Sequence, residues 1–392
     1  PEGVGEKGRP MTLDLRERDW RPDRLKQAFS GDNLEVVEEK VLLPEDVFAS
    51  KMTLHNRADA PRRFHVLVWS VQEAAEGARI MDGLATYWRA YLPEGGELHF
   101  ALGASRELRS YTFNLAEPAA QEPLWDISVF PEKFRSGKLP HEDKSLASWE
   151  QSGLLHIGLH YTVDVPPHAT ETITVGCSIG LDEEETRQAL HRALRDDVVA
   201  ASEKNWRGYF AQVPYFDCSD PFLRTYWWYR WYGLRLLTVS LCRGRFPYPC
   251  VFEGLGSFRC HISYSAQCHM LECSWMRDPT LAEGSLLGML ASQHPDGSLP
   301  GHIYLWCSER GFYHANWGKS AWQVYQIAQD EGFLRKVYQG LVAYAEYFAS
   351  QRDREGWHLY DVLDQGETGQ EYMSRYLFAD PQADDWRPIQ LK

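Results

Sequence analysis

The stretch WRGYFAQVPYFDCSDPFLRTYWWYRWYGLR, Trp206–Arg235, is where the sequence changes period. Before it, apolar residues recur in short, partly alternating runs; from Asp220 onward the pattern is helical throughout. Pro221–Leu241 reads as one aromatic-rich helix. A second helix is expected from about Phe258 to Met276, followed by Pro279–Gln293, Lys319–Asp330 and Gly332–Gln351. Short loops rich in Gly, Pro and His separate them, and no heptad persists. That pattern suits successive αα-hairpins better than a coiled coil.

Toward the N-terminus the runs LEVVEEKVLL (Leu34–Leu43), FASKMTLHN (Phe48–Asn56) and RFHVLVWSV (Arg63–Val71) are β-branched or aromatic. Turn-forming pieces such as PED and NRADAPR separate them. LLHIGLHYTVDV (Leu154–Val165) and TETITVGCSI (Thr170–Ile179) flank a Pro-Pro turn. Several such runs with polar connections predict an antiparallel sandwich. Ala116–Ser148 reads as a long insertion. Asp182–Asn205 opens with acidic residues, which suit a helix N-terminus, and is expected to be a linker helix. The expected division is a β-sandwich over 1–181, a linker helix over 182–217 and an α-helical domain over 218–392.

Composition narrows the function classes. Hydrophobic residues make up 44% and charged residues 24%, the balance of a globular protein. The net charge of −14 argues against nucleic acid and anionic membrane as partners, since both need basic patches. No apolar run approaches transmembrane length. Pro1–Pro10 is polar and has no apolar leader segment, which favours the cytoplasm. Aromatics reach 13%, with 15 Trp and 20 Tyr. They fill cores, and their faces also stack on sugar rings. The eight cysteines read mainly as buried free thiols.

The order of motifs resembles the six-hairpin glycosidases of processing-α-glucosidase, trehalase and mannosylglycerate-hydrolase type. Trp206–Arg235 is similar to the entry into their helical barrel. DPTLAEGSLLGMLASQHPDGSLPGH (Asp278–His302) and HANWGKSAWQVYQI (His314–Ile327) follow, and ETGQEYMSRY (Glu367–Tyr376) resembles their acidic loop. The resemblance implies an N-terminal β-sandwich before an (α/α)6 barrel, hydrolysis of a glycosidic bond with inversion, a saccharide substrate and no cofactor. Two departures stand out. The relatives carry a Trp-Asp-Ser at the start of the second barrel helix, and that Asp is their general acid; SFRCHISYSAQ, Ser257–Gln267, has no carboxylate. Asp220–Lys392 also has room for about half of a twelve-helix barrel. The second carboxylate is then expected beyond Lys392, on a C-terminal remainder or a second chain, and an oligomer is compatible with this.

Glycoside hydrolysis needs two carboxylates. Glu367 and Glu371 are the first catalytic candidates, with Tyr372 and Arg375 beside them as sugar contacts. The bland alternative is that Glu367 caps a helix and Glu371 pairs with Arg375. Glu253, in YPCVFEGLGSF, is a candidate sugar contact or the missing acid, or simply a capping residue. Arg259 and His261 follow it. The resemblance makes Asp296, Pro300 and His302 a rim loop, although Asp296-Gly297 is a turn signal in any fold. His314, Asn316, Trp317 and Lys319 cluster where the next helix begins, with Trp317 as a stacking platform or as a packed core residue.

Cys260, His261, Cys268, His269 and Cys273 are metal-ligating types, but helical spacing divides them between two faces. Two other classes stay open: a non-catalytic carbohydrate-binding protein that lost its acid, and a metal- or thiol-dependent enzyme using Cys260, His261 and Cys268. A glycoside phosphorylase would need a phosphate site, and no clear Arg, Lys and His set marks one.

Overall fold

A computed structural model describes residues 11–73, 75–90, 96–116, 134, 137–139, 154–256, 258–305, 307–309, 316–363, 366–369 and 373–382. The chain divides into two compact units, Pro1–Gly208 and Tyr209–Lys392. The first unit is built on two antiparallel sheets. The larger contains β1 (Asp14–Arg21), β2 (Arg24–Gly31), β3 (Leu34–Leu43), β4 (Val47–Asn56), β6 (Glu76–Met81), β7 (Leu84–Ala90), β8 (Glu97–Ala104) and β11 (Thr170–Gly180), ordered β1-β2-β3-β4-β11-β8-β7-β6. The smaller is β5-β10-β9, formed by Arg62–Glu73, Leu154–Val165 and Ser110–Ala116. The five strands expected from sequence are all present, within two residues at their ends.

Alternation on β10 shows how the core forms. Leu155, Ile157, Leu159, Tyr161, Val163 and Val165 point one way and are buried. They share a core with Val36, Leu54, Tyr87, Leu102 and Ile173 of the larger sheet. The two sheets therefore enclose one apolar layer. β1 and β2 lie at the edge of the larger sheet, where DLRERDWR is almost wholly exposed. Charged edge strands discourage pairing with other chains, and they carry no alternation to read.

The opposite face of β10 is buried at His156, Gly158 and His160. His160 Nε2 lies 2.9 Å from His65 Nδ1, and its Nδ1 lies 3.1 Å from Ser110 Oγ. Ser110 Oγ in turn accepts the Leu139 N–H at 2.9 Å, and Phe134 sits edge-on to both imidazoles. Phe134 and Leu139 belong to the insertion expected at 116–148, most of which is outside the described residues. Burial, then His65 and Arg109, lower the His160 pKa to about 4. An unfolded histidine titrates near 6.5, so between pH 6.5 and about 4 only the unfolded chain gains this proton. Stability should fall across that window by about 1–3 kcal/mol from this group and level off below it. Denaturant melts of His160→Gln and wild type at pH 7 and pH 4.5 would check this. The variant should lose less stability on acidification.

The helix expected over 182–205 is two helices. α1 (Glu183–Arg195) starts at Asp182, whose carboxylate accepts the Glu185 N–H at 2.9 Å; α2 spans Val198–Phe210. They are separated at Asp196 and Asp197, whose carboxylate accepts the Val199 N–H instead of continuing the helix. α1 is also no free linker. Its Ala189, Leu190, Ala193 and Leu194 pack on Val41, Val47 and Ala49 of the larger sheet. Gly176 of β11 permits the approach, since a Cβ there would meet Leu190 Cδ1 at 2.6 Å.

In the second unit the helices are α3 (Pro221–Leu236), α4 (Ser263–Cys273), α5 (Thr280–Ala291), α6 (Trp317–Ala328), α7 (Glu331–Tyr347) and α8 (Ser374–Ala379). Asp220 caps α3 by accepting the Phe222 and Leu223 N–H groups. α3 stops before the expected Leu241 because Thr238–Val239 (β12) pairs with Cys250–Val251 (β13). α4 starts later than expected because His261–Ile262 (β14) is a strand, paired with His302–Ile303 (β15). α3 to α7 enclose one core, in which Trp317, Phe333, Leu286 and Met289 are almost inaccessible.

Candidate active site

The connections between the helices alternate in length. α4 leads to α5 through 274–279 and α6 to α7 through 329–330, so each pair is a tight antiparallel hairpin. The other connections, 237–262, 292–316 and 348–373, are long. Antiparallel alternation brings these long connections to the same end of the helical layer. β14 and β15 show two of them meeting, and the Ser263 N–H donates to Gly301 O. Gln293, at the start of the second long connection, ties it to α7: its Nε2 donates to Gly340 O at 2.8 Å. Nearly every candidate residue from the sequence lies in or beside these long connections.

The strap before α4 holds Glu253. Its backbone N–H donates to Cys260 O and that of Gly254 to Phe258 O, which closes the strap on itself. The Glu253 carboxylate is half-buried and accepts the Ser265 hydroxyl from the first turn of α4. Arg259, on the same strap, is exposed. His261 is different: it is 1% exposed, its Nε2 is 2.8 Å from Ser285 O and its Nδ1 is 3.3 Å from Val251 O. It ties the strap to α5 and presents nothing to a ligand, which corrects its expected role as a sugar contact.

Asp296 is also a structural residue by its geometry. It accepts the Ser298 N–H at 3.0 Å and the Ser298 hydroxyl at 2.6 Å, around Gly297 at φ +87°. A Cβ at Gly297 would meet Ala343 O at 2.4 Å. Gly297→Ala should therefore cost about 2–3 kcal/mol, from left-handed backbone strain and displacement of α7. A urea titration against wild type checks the figure. His302 is buried beside Phe258 and Tyr304, and burial lowers its pKa to about 4.

Asn316 caps α6 by accepting the Lys319 N–H at 3.1 Å, and Lys319 itself is exposed. Trp317 is 1% exposed in the core, so no ring face remains for a sugar and the stacking-platform expectation is corrected. His314, Glu371 and Tyr372 lie outside the described residues. Arg375 is exposed and lies over the Tyr376 ring at 4.8 Å.

Glu367 is buried at 3% and receives Arg352 Nη2 at 2.7 Å and the Leu363 N–H at 2.7 Å, both on Oε2. Arg352 comes from a single π-helical turn, Phe348–Arg352, at the end of α7. Such turns widen a helix locally and recur at functional sites. The same guanidinium donates to Asp361 O. Glu367 therefore pins the acidic loop to α7, and a carboxylate so enclosed is poorly placed to exchange a proton with a substrate. Sequence reading missed Arg352, which stands in the ordinary helical run AEYFASQR. Ser265 was missed as well.

One other carboxyl draws notice. Burial, then Asp330, raise the Glu283 pKa. Glu283 is in the first turn of α5, however, and Asp330 caps α7, so both sit at the end where the short connections gather. Among the described residues no three His, Cys, Asp or Glu side chains are grouped to hold a metal. All eight cysteines are free thiols, and Cys250, Cys260 and Cys273 are buried.

Residues 260–392 match the family described as mannosylglycerate hydrolase MGH1-like glycoside hydrolase domain. Over these residues the chain is similar to a glycoside hydrolase domain. The match begins at the strap before α4 and takes in all three later helical pieces of the resemblance. Among solved structures, the fold resembles that of a protein from the human microbiome described as a putative kojibiose phosphorylase. It has 9% identity and a TM-score of 0.57, over 88% of this chain and 48% of that one. A GH92 α-mannosidase from Bacteroides thetaiotaomicron aligns at 11% identity and a TM-score of 0.39, over 82% of this chain and 41% of that one. The chain thus spans about half the length of these structures. No curated protein sequence matches it.

Proposed function

We propose that the helical unit is the opening part of an (α/α)6 barrel, and that the protein is a saccharide-processing enzyme acting on a glycosidic bond at the end where the long connections gather. The glycoside hydrolase domain match over 260–392 carries this reading. The alternation of short and long connections supports the choice of end, because long connections are what a barrel uses to build a substrate rim.

Hydrolysis by two carboxylates is the proposed chemistry, with inversion. Glu253 is half-buried and oriented by Ser265, which suits a group that must face a ligand while holding one rotamer. Glu371 follows the loop that Glu367 and Arg352 anchor. We assign the reacting role to Glu371, the anchoring role to Glu367, and to Glu253 either the acid or a hydroxyl contact. Arg259, Lys319 and Arg375 are exposed and are the proposed donors for sugar hydroxyls, with Asn316 next to Lys319 at the start of α6. No cofactor is required for this chemistry.

Phosphorolysis is the second reading, because the fold likeness at a TM-score of 0.57 is to a protein described as a phosphorylase. One experiment separates the two: a panel of glucosides, mannosides and disaccharides incubated with the protein at its natural length, with and without inorganic phosphate. Release of free sugar without phosphate supports hydrolysis, and phosphate-dependent sugar phosphate supports phosphorolysis. No turnover in either arm would favour a carbohydrate-binding protein.

A further inference from the structure

α1 carries acidic residues in its first turn and a run of cations after it. Glu183, Glu184 and Glu185 open the helix, and Arg192 and Arg195 stand in its last turn. Arg187, His191 and Arg195 follow one another at i, i+4 and i+8, so they share a face. The β6–β7 turn closes on this face. Arg79 Nη2 donates to both Glu183 oxygens at 2.6 and 2.8 Å, and Arg187 binds Asp82 through Nη1 and Glu184 through Nη2. The turn and the helix border a cleft of about 470 Å³, lined by Asp82, Arg187, Gln188, His191, Arg192 and Arg195.

Every lining side chain is polar, and the size falls within the roughly 300–1,000 Å³ of small-molecule sites. Asp82 and Glu184 both bind Arg187, which fixes that guanidinium. Among the described residues no carboxylate lies within ion-pair distance of Arg192 or Arg195, and Arg195 Nε donates to His191 O at 3.2 Å. Burial, then Arg187, lower the His191 pKa; Arg195 acts in the same direction, while Asp82 and Glu184 oppose them. The negative end of the α1 dipole accounts for cations in the last turn. It does not account for a polar cleft under a neighbouring turn, nor for a histidine held unprotonated between two guanidiniums. In a chain of net charge −14, two arginines without carboxylate partners in one cleft mark a place for an anion.

We propose that this cleft binds a sugar phosphate, its phosphate held by Arg192 and Arg195 and a sugar hydroxyl donating to Asp82. Guanidiniums present paired N–H donors that match phosphate oxygens, and the two charges equal those of the dianion. The Asp82 carboxylate disfavours free phosphate but accepts a hydroxyl, and the cleft has room for more than a phosphate group. The site lies wholly within the first unit, so binding there requires nothing of the reaction proposed for the second.

Isothermal titration calorimetry with glucose 6-phosphate and with inorganic phosphate, at fixed ionic strength, tests the assignment. Glucose 6-phosphate should bind with a Kd below about 1 mM, at least about tenfold more tightly than inorganic phosphate. The affinity should fall at least about tenfold in the double variant Arg192→Gln with Arg195→Gln, both at exposed positions, with the melting temperature unchanged. Arg207→Gln, at an exposed position on α2, should leave the affinity as it is. A bound dianion offsets the neighbouring guanidiniums, so the His191 ring should titrate at higher pH with glucose 6-phosphate than without it, as read by NMR. Binding that survives in the double variant with His191 unmoved would place the ligand elsewhere and overturn the proposal. Equal affinity for inorganic phosphate would overturn the sugar phosphate assignment. No binding of either compound up to about 10 mM would leave Arg192 and Arg195 as partners of the helix dipole alone and overturn the site. Each result is read without sugar turnover, so failure here leaves the proposed function standing.

Discussion

Arg352→Met is expected to destabilise the second unit by about 3–5 kcal/mol, because it strands the buried Glu367 carboxylate without its cation. The two side chains are 4% and 2% exposed and 2.7 Å apart, so water cannot take over the lost interaction without opening the loop. The guanidinium also donates to Asp361 O, so its removal frees that segment of the 348–373 connection. Replacing both partners, in Arg352→Met with Glu367→Leu, should recover much of the loss, since an apolar pair of similar volume removes the stranded charge. Guanidinium denaturation of the two single variants, the double variant and wild type closes the cycle. If the double variant is as unstable as Arg352→Met, the cost lies in the π-helical turn itself and not in the ion pair.

Trp317→Ala should cost about 3–5 kcal/mol, as for other buried large-to-small changes at a site that cannot collapse. Trp317 is among the largest fully buried side chains, and it packs at the start of α6 within the core that α3 to α7 enclose. Trp317→Phe should recover most of that stability. The two readings of this residue separate cleanly by measurement. A core role lowers the melting temperature and leaves sugar affinity unchanged in the folded fraction, whereas a stacking platform would weaken sugar binding in Trp317→Phe with little loss of stability.

The parts legible in the sequence were those in which local pattern and tertiary context agree. β3, β4, β5, β10 and β11 run through the core and alternate, so their side chains announce the sheet. β1 and β2 lie at the edge, and β6 to β9 are short or end in loops, so burial imprints less pattern on them. His156 and His160 occupy the polar positions of LLHIGLHYTVDV and are nevertheless buried; Phe134 and Leu139, from the 116–148 insertion, pack or bond at the His160 and Ser110 side of that face.

The candidate residues named from sequence stand in or beside the long connections, but the structure commits several of their atoms to internal partners. His261 and Asp296 stand in rim segments, yet His261 is buried with its ring nitrogens beside Val251 O and Ser285 O, and Asp296 Oδ1 holds the turn through Ser298. Trp317 follows a polar cluster and points into the core. Arg352 gave no signal, since its partner is fifteen residues away across a π-helical turn. Hydrogen bonding across a loop of that length has no period for sequence reading to detect.

The central claim is that chemistry occurs at the end of the helical unit where the long connections meet. Its most direct test is turnover of the most reactive glycoside by Glu371→Gln and Glu283→Gln in the natural-length protein. Glu283 is the sharper control because burial and Asp330 raise its pKa, as expected of an acid catalyst, yet it lies at the opposite end. Glu371→Gln should lose about a thousandfold in kcat, the scale of a lost acid or base, with sugar binding retained. Glu283→Gln should stay within about threefold of wild type, since it touches no reacting atom on this account. Full activity in Glu371→Gln together with a thousandfold loss in Glu283→Gln would contradict the account and move the active site to the end with the short connections.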